Sequence, residues 1–123
     1  GYEASTLHRL LGYDPKARGF GHGPERPLEA DLVVVDEVSM LDVSLAYHLL
    51  GAVRAPTRLL LIGDPNQLPS VAPGNVLSDL LSSQRLPVWR LTHIFRQSEH
   101  SRIVSNSHRI LDGFPPQFPA AQQ

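Results

Sequence analysis

The chain has 123 residues, a formal net charge of −1 and no cysteine. That length is enough for one domain with a real core, and the charge excludes a generic polyanion binder. The missing cysteines exclude a disulfide framework and a thiolate metal site, and with no apolar stretch of membrane-spanning length and no secretory signal the default location is cytoplasmic.

Ala4 to Leu11 reads as a helix with Leu7, Leu10 and Leu11 on one face and Gly12 as its stop. Residues 13 to 30 are rich in glycine and proline and poor in aliphatics. With Tyr13 and Phe20 flanking turn formers, this segment predicts a small projecting β-hairpin whose tip lies near Gly19-Phe20-Gly21-His22-Gly23. The plainer alternative is a surface loop without a role. Leu32 to Asp36 is a strand, and Ser39 or Asp42 caps a helix that runs to about Val53 before Pro56 breaks it. Leu59 to Ile62 is a second strand, and both aliphatic runs are continuous, the habit of parallel strands covered on both faces. Asn75 to Leu81 reads as a short helix, Val88 to Leu91 as a third strand, and Arg102 to Leu111 as a helix stopped by Gly113. Residues 114–123 read as an extended tail or linker. Strand and helix alternate from residue 32, which predicts an α/β layer with right-handed crossovers.

Two hydrophobic runs end abruptly in polar groups: Leu32-Val33-Val34-Val35 in Asp36-Glu37, and Leu59-Leu60-Leu61-Ile62 in Gly63-Asp64-Pro65-Asn66-Gln67. Ligand sites of open α/β sheets lie just beyond such strand ends, so both loops are expected to share one crevice suited to Mg²⁺-nucleotide hydrolysis. An aspartate there holds Mg²⁺ through water, because that ion keeps part of its hydration shell. A neighbouring glutamate can orient and deprotonate the attacking water. Glycine frees the chain to turn, and the Gln67 amide can bond a γ-phosphate or its water without adding charge. The competing readings are two surface acids capping the next helix and a polar loop rich in turn residues.

Phe95-Arg96-Gln97 offers an arginine to a transferring phosphate, a contact worth roughly 10³–10⁵ in rate in known systems; alone it is equally an exposed arginine before a helix. Thr6, His8 and Arg9 could contact a single strand's phosphates or bases, although a helix histidine is more commonly part of the packing. The acids Glu29, Asp31, Asp36, Glu37 and Asp42 have no base among them, whereas arginines 85, 90, 96, 102 and 109 outnumber the acids Glu99 and Asp112 in the segment they span. An acidic metal pole facing an arginine-rich segment suits a nucleotide; scattered surface charge is the bland alternative.

Taken together, Ser5-Thr6-Leu7-His8-Arg9-Leu10-Leu11-Gly12, Asp36-Glu37-Val38-Ser39-Met40, Gly63-Asp64-Pro65-Asn66-Gln67-Leu68-Pro69-Ser70-Val71, Gly74-Asn75-Val76-Leu77 and Leu91-Thr92-His93-Ile94-Phe95-Arg96-Gln97 resemble RecD-type superfamily 1 helicases in order and spacing. The resemblance covers residues 1 to about 113. It implies an α/β fold, a partial RecA-like parallel sheet of the P-loop NTPase type flanked by helices, belonging to the first motor domain (1A) of an ATP-dependent 5′-to-3′ DNA helicase. It implies ATP and Mg²⁺ as cofactors, and single-stranded and duplex DNA, the remaining helicase domains and nuclease-complex subunits as partners, with no membrane. Carried over by position, Asp36 and Glu37 match the Walker B pair, Gln67 the γ-phosphate sensor that couples hydrolysis to DNA, and Arg96 an arginine on the γ-phosphate, with Gly63 and Asp64 beside the nucleotide. Thr6, His8 and Arg9 match a segment near the DNA track, and residues 13 to 30, with Phe20, Gly21 and His22, fall where the family inserts a duplex-splitting pin.

The departures matter as much. The Walker A loop, Gly-x-x-x-x-Gly-Lys-Ser/Thr, does not occur, and the sole lysine, Lys16, lies outside any such context. No second motor domain follows residue 113. The expectation is an internal helicase fragment that is inactive alone. Its rivals are another RecA-type ATPase, such as a PhoH-like one, and a non-catalytic nucleic-acid or protein-binding module derived from a helicase.

Overall fold

In the computed structural model, which describes residues 4–92 and 102–118, Thr6 starts the first helix. Its extended backbone places the hydroxyl to accept from the Arg9 amide at 3.3 Å, so helix α1 (Leu7–Leu10) begins later than the leucine spacing predicts. Gly12, at φ 67°, ends it in the left-handed region where glycine is unstrained.

A hairpin comes next, β1 (Tyr13–Asp14) antiparallel to β2 (Gly19–Phe20), with Tyr13 opposite Phe20. Its turn is residues 15–18, closed by the Asp14 carboxylate accepting from the Lys16 amide at 2.8 Å. The tip is therefore Pro15–Arg18, and the expected tip at Gly19–Gly23 is corrected. Phe20 packs its ring on His48 at 4.4 Å and on Tyr13 at 5.2 Å between centroids, which seats β2 at the hairpin's base. Gly21 and His22 continue that strand by donating to the carbonyls of Gly12 and Leu11, each at 3.0 Å. Gly21 lies against Gly12, where a Cβ would make ordinary contact with the Gly12 carbonyl oxygen at 3.4 Å. A second tight turn, Gly23 to Arg26, closes with two reciprocal backbone bonds of 3.1 Å.

Strand β3 (Leu32–Val35) leads through a 3₁₀ turn (Val38–Met40) into α2 (Val43–Ala52), which crosses to β4 (Arg58–Leu61). The two strands pair in parallel with Val33 opposite Leu59 and Val35 opposite Leu61. Of the two predicted caps for α2, Asp42 takes the role, its carboxylate accepting from the Leu45 amide at 2.8 Å. Helix α3 (Val76–Ser83) completes this part of the chain.

Leu11, Leu28, Val33, Val35, Val38, Leu41, Ala46, Leu49 and Ala52 form the core. Complete burial of Leu11 and Leu49 contributes about 1.5–3 kcal/mol each. Leu7 and Leu10 of α1, Leu45 of α2, Leu59 and Leu61 of β4, and Val76 and Leu77 of α3 pack against the same cluster. Hence helices cover one face of the sheet. The expectation of strands covered on both faces is corrected for the described residues: Val33 and Val35 are buried, but Leu32 and Val34 are each 51% exposed.

The chain divides at Pro87/Val88 into two compact units. In the second, Val88–Leu91 forms no strand, since no neighbour supplies a ladder among the described residues, and Trp89 and Leu91 are exposed. Helix α4 (Arg102–Leu111) matches its predicted span. It ends in a Schellman motif, Gly113 (φ 81°) and Phe114 donating to Ile110 and Arg109 carbonyls at 3.0 and 2.7 Å. Residues 114–118, the described part of the predicted tail, form no helix or strand and are bound to α4. Asn106 exchanges two hydrogen bonds with the Gln117 backbone at 2.7 and 2.9 Å, and the Arg109 Nε donates to the Pro115 carbonyl at 2.9 Å.

Candidate nucleotide site

Backbone bonds bring the two strand-end loops side by side. Ile62 donates to the Val35 carbonyl at 2.8 Å, and Val38 donates to the Ile62 carbonyl at 3.0 Å. Asp36-Glu37 is thereby clamped beside Gly63-Asp64. Both loops thus lie at the carboxyl ends of the parallel strands, where ligand sites of open α/β sheets are found.

Asp36 is exposed, and one of its carboxylate oxygens accepts from the Glu37 amide at 2.9 Å. Its other oxygen makes no described hydrogen bond. Glu37 sits at φ 56° and ψ 42°, a left-handed conformation that costs a non-glycine residue roughly 1–2 kcal/mol. That turn carries the exposed Glu37 out of the strand line before the 3₁₀ turn begins. Backbone strain of this kind collects at functional positions held by surrounding structure. Here the Val38–Ile62 bond on one side and the buried Val38 side chain on the other hold it.

The second loop opens with a glycine for a steric reason. A Cβ at Gly63 would meet Leu77 Cδ2 at 3.1 Å and the Val38 and Ser39 amide nitrogens at 3.2 Å. Asp64 organises the rest of the turn: its carboxylate accepts from the Asn66 amide at 2.9 Å, and its carbonyl accepts from the Gln67 amide at 3.1 Å. Gln67 lies on the exposed surface of this turn. The loop is anchored at its far end by Val43, which donates to the Pro73 carbonyl at 3.2 Å. Gly74 (φ 110°) lies against the same valine, whose Cγ2 a Cβ would overlap. Gly74→Ala is therefore expected to destabilise the first unit by about 1–3 kcal/mol, from backbone strain alone before any clash is relieved. Thermal unfolding measures this; an unchanged melting temperature would contradict the anchoring.

Asp36, Glu37, Gly63, Asp64 and Gln67 thus belong to one pair of clamped loops. Arg96, with Phe95 and Gln97, lies outside the described residues. Thr6 spends its hydroxyl as the α1 cap. Arg9 is exposed, and His8 is exposed with its ring 5.4 Å from that of Tyr13 and 5.8 Å from that of Phe20. Phe20, Gly21 and His22 form the hairpin's base rather than its tip. Two further groups matter at this site: Gly74 and Ser39 both fall inside motif segments of the resemblance without an assigned role, and the packing of Gly74 on Val43 and the burial of Ser39 show only in the structure.

The site fits a magnesium ion held sparingly. One exposed carboxylate at a strand end matches a cation that keeps most of its waters, and the described residues hold no cluster of three or more histidines and acids that would cage a metal. An open cavity of about 370 Å³ is elsewhere, lined at the start of the strands by residues such as Asp31, Arg54 and Thr57. It lies at the opposite end of β3 from Asp36. No helix among the described residues is long and apolar enough to cross a membrane.

A family model described as "AAA domain" matches residues 1–123. The chain is 44% identical over 116 residues to the ATP-dependent RecD2 DNA helicase of Deinococcus radiodurans, covering 94% of this chain and 16% of that protein. It is 45% identical over 102 residues to the RecBCD enzyme subunit RecD of Mycolicibacterium smegmatis, covering 80% of this chain and 18% of that subunit. DNA helicase B of Mus musculus is more distant, 34% identical over 95 residues. The chain therefore spans less than a fifth of these relatives' lengths.

Proposed function

Because the chain belongs to the AAA domain family, we propose that it is the nucleotide-hydrolysing part of a RecD-like helicase motor, residues 1–113 contributing to motor domain 1A, the 13–30 segment being its pin, and 114–123 leading onward. In this reading the polypeptide that carries it moves 5′-to-3′ on single-stranded DNA and unwinds duplex. Its relatives' names, an ATP-dependent DNA helicase and a RecBCD subunit, support DNA and other enzyme subunits as partners.

The observation that carries the proposal is the clamp between the two strand ends, Val35–Ile62–Val38, which sets Asp36-Glu37 against the Gly63–Gln67 loop. Asp36 would hold Mg²⁺ through water, and the ion supplies charge neutralisation at the phosphates. Glu37 accepts a proton from the attacking water at its carboxylate. The Gln67 amide bonds the γ-phosphate or that water and reports its presence along the loop. Arg96 adds positive charge to the same phosphate, while Thr6, His8 and Arg9 contribute to the DNA track.

Residues 1–123 contain no Walker A loop, whose backbone N–H groups and lysine cradle the phosphates. One water-mediated carboxylate cannot replace that cradle. The isolated chain is accordingly expected to show no ATP turnover above background, whereas a longer polypeptide that also carries the loop turns over ATP when single-stranded DNA is added. Phosphate release measured on both decides. Robust turnover by the isolated chain, abolished by Glu37→Gln, would overturn the division of labour between these residues and a separate phosphate loop.

A further inference from the structure

Ser39 is 6% exposed, and its Oγ has no hydrogen-bond partner among the described residues. Buried hydroxyls are nearly always paired, so one that is not asks for an explanation. The local roles open to it are already filled. Asp42 caps α2 in its place. The 3₁₀ turn around it is closed by Met40 and Leu41 donating to the Glu37 and Val38 carbonyls at 3.1 and 3.0 Å. Packing alone does not call for a hydroxyl between Val38 and Leu41, both of which are core residues.

Its position is specific. Ser39 stands two residues after Glu37, and the Gly63 backbone presses against its amide, since a Cβ on that glycine would come within 3.2 Å of the Ser39 nitrogen. Gly63 opens the loop that ends at Gln67. Leu77 of α3 packs against the same glycine. The start of the 63–67 loop thus lies against the Ser39 backbone.

We propose that Ser39 is a positioning residue that links the two halves of the site: its hydroxyl bonds a backbone group of the Gly63–Gln67 loop when that loop engages nucleotide and DNA, coupling Gln67 to Glu37. This rests on the reading of Glu37 as base and Gln67 as sensor. An unpaired hydroxyl in one state and a paired one in another biases the loop between two positions, which is what a coupling element requires.

The test uses a full-length helicase carrying this segment, with Ser39→Ala, Ser39→Cys and Gln67→Ala measured side by side. In Ser39→Ala the ratio of DNA-stimulated to unstimulated ATP turnover is expected to fall about three- to tenfold, the effect of one neutral hydrogen bond. Its melting temperature should hold or rise, because a buried unpaired hydroxyl has been removed. The near-isosteric Ser39→Cys, a poor hydrogen-bonder, should lose the same stimulation and so covers the case in which alanine leaves a destabilising cavity. A lowered melting temperature with the ratio intact would make Ser39 a merely structural residue and overturn the proposal. Should Gln67→Ala lose stimulation while both serine variants keep it, only the Ser39 link falls. Should all three keep it, the sensor reading falls as well.

Discussion

Glu37→Gln in a full-length helicase carrying this segment is expected to lose about 10²–10⁴ in ATP turnover while binding nucleotide as tightly as the parent. The size reflects how little else changes. Glutamine keeps the length and volume of the side chain, and it meets the same left-handed backbone at φ 56°. The Asp36 carboxylate still accepts from the amide of residue 37, because that bond is to the backbone. The clamp from Val35 through Ile62 to Val38 involves main chain only and is also untouched. The one loss is a basic oxygen beside the water. Nucleotide titration and DNA-stimulated phosphate release separate the two quantities. Loss of affinity in proportion to loss of rate would mean that Glu37 binds rather than activates. Unaltered duplex unwinding would remove Glu37 from the chemistry altogether.

Part of this architecture was legible because it depends on short-range chemistry. The carboxylates that follow β3, the Asp42 cap and the Gly113 stop are each decided within a few residues: the strand ends one residue before the expected Asp36, Asp42 is one of the two caps the sequence offers, and Gly113 stops α4 as expected. The meeting of the two loops was legible as well, since parallel strands joined by one helix must end on the same side. The illegible part depends on contacts between distant residues. The glycine spacing over residues 19–23 predicts a turn there, but Gly19 and Phe20 pair with β1, Phe20 is seated on His48, and only Gly23 lies in a tight turn. The aliphatic run of β3 records how apolar the strand is, not which faces its neighbours cover, so the exposure of Leu32 and Val34 could not be read from it. Val88-Trp89-Arg90-Leu91 has strand composition but joins no ladder among the described residues. The tail is held by a partner eleven residues away, Asn106 to Gln117, that no periodicity announces. At the site, neither the left-handed turn of Glu37 nor the unpaired, buried Ser39 hydroxyl is announced by residue type or spacing.

Removal of the hairpin should separate hydrolysis from strand separation more completely than any point substitution. Gly12 and Gly21 already touch, the Gly21 amide donating to the Gly12 carbonyl at 3.0 Å. Residues 13–20 can therefore be replaced by a short Gly-Ser bridge with little change in the path on either side. The cost to stability is the Phe20 contact with His48, and because Phe20 is only half-buried it should fall below the ~3–5 kcal/mol typical of a core phenylalanine. The clamp that holds Asp36-Glu37 against Gly63 contains no hairpin residue. In a full-length helicase the variant should keep its single-strand-stimulated ATP turnover and lose most of its duplex unwinding, since a wedge acts by blocking one strand and need not touch nucleotide. Replacing Pro15–Arg18 alone, the tip itself, should reproduce the unwinding loss while leaving Phe20 seated, which distinguishes a lost wedge from a loosened fold. Phe20→Ala should lie between them, its tip intact but its base freed from α2. If the 13–20 replacement unwinds duplex as fast as the parent, the hairpin is a surface loop and the helicase reading stands without its pin. If it loses ATP turnover in step with unwinding, α2 depends on the hairpin's packing, and Phe20 and His48 serve the motor rather than the wedge.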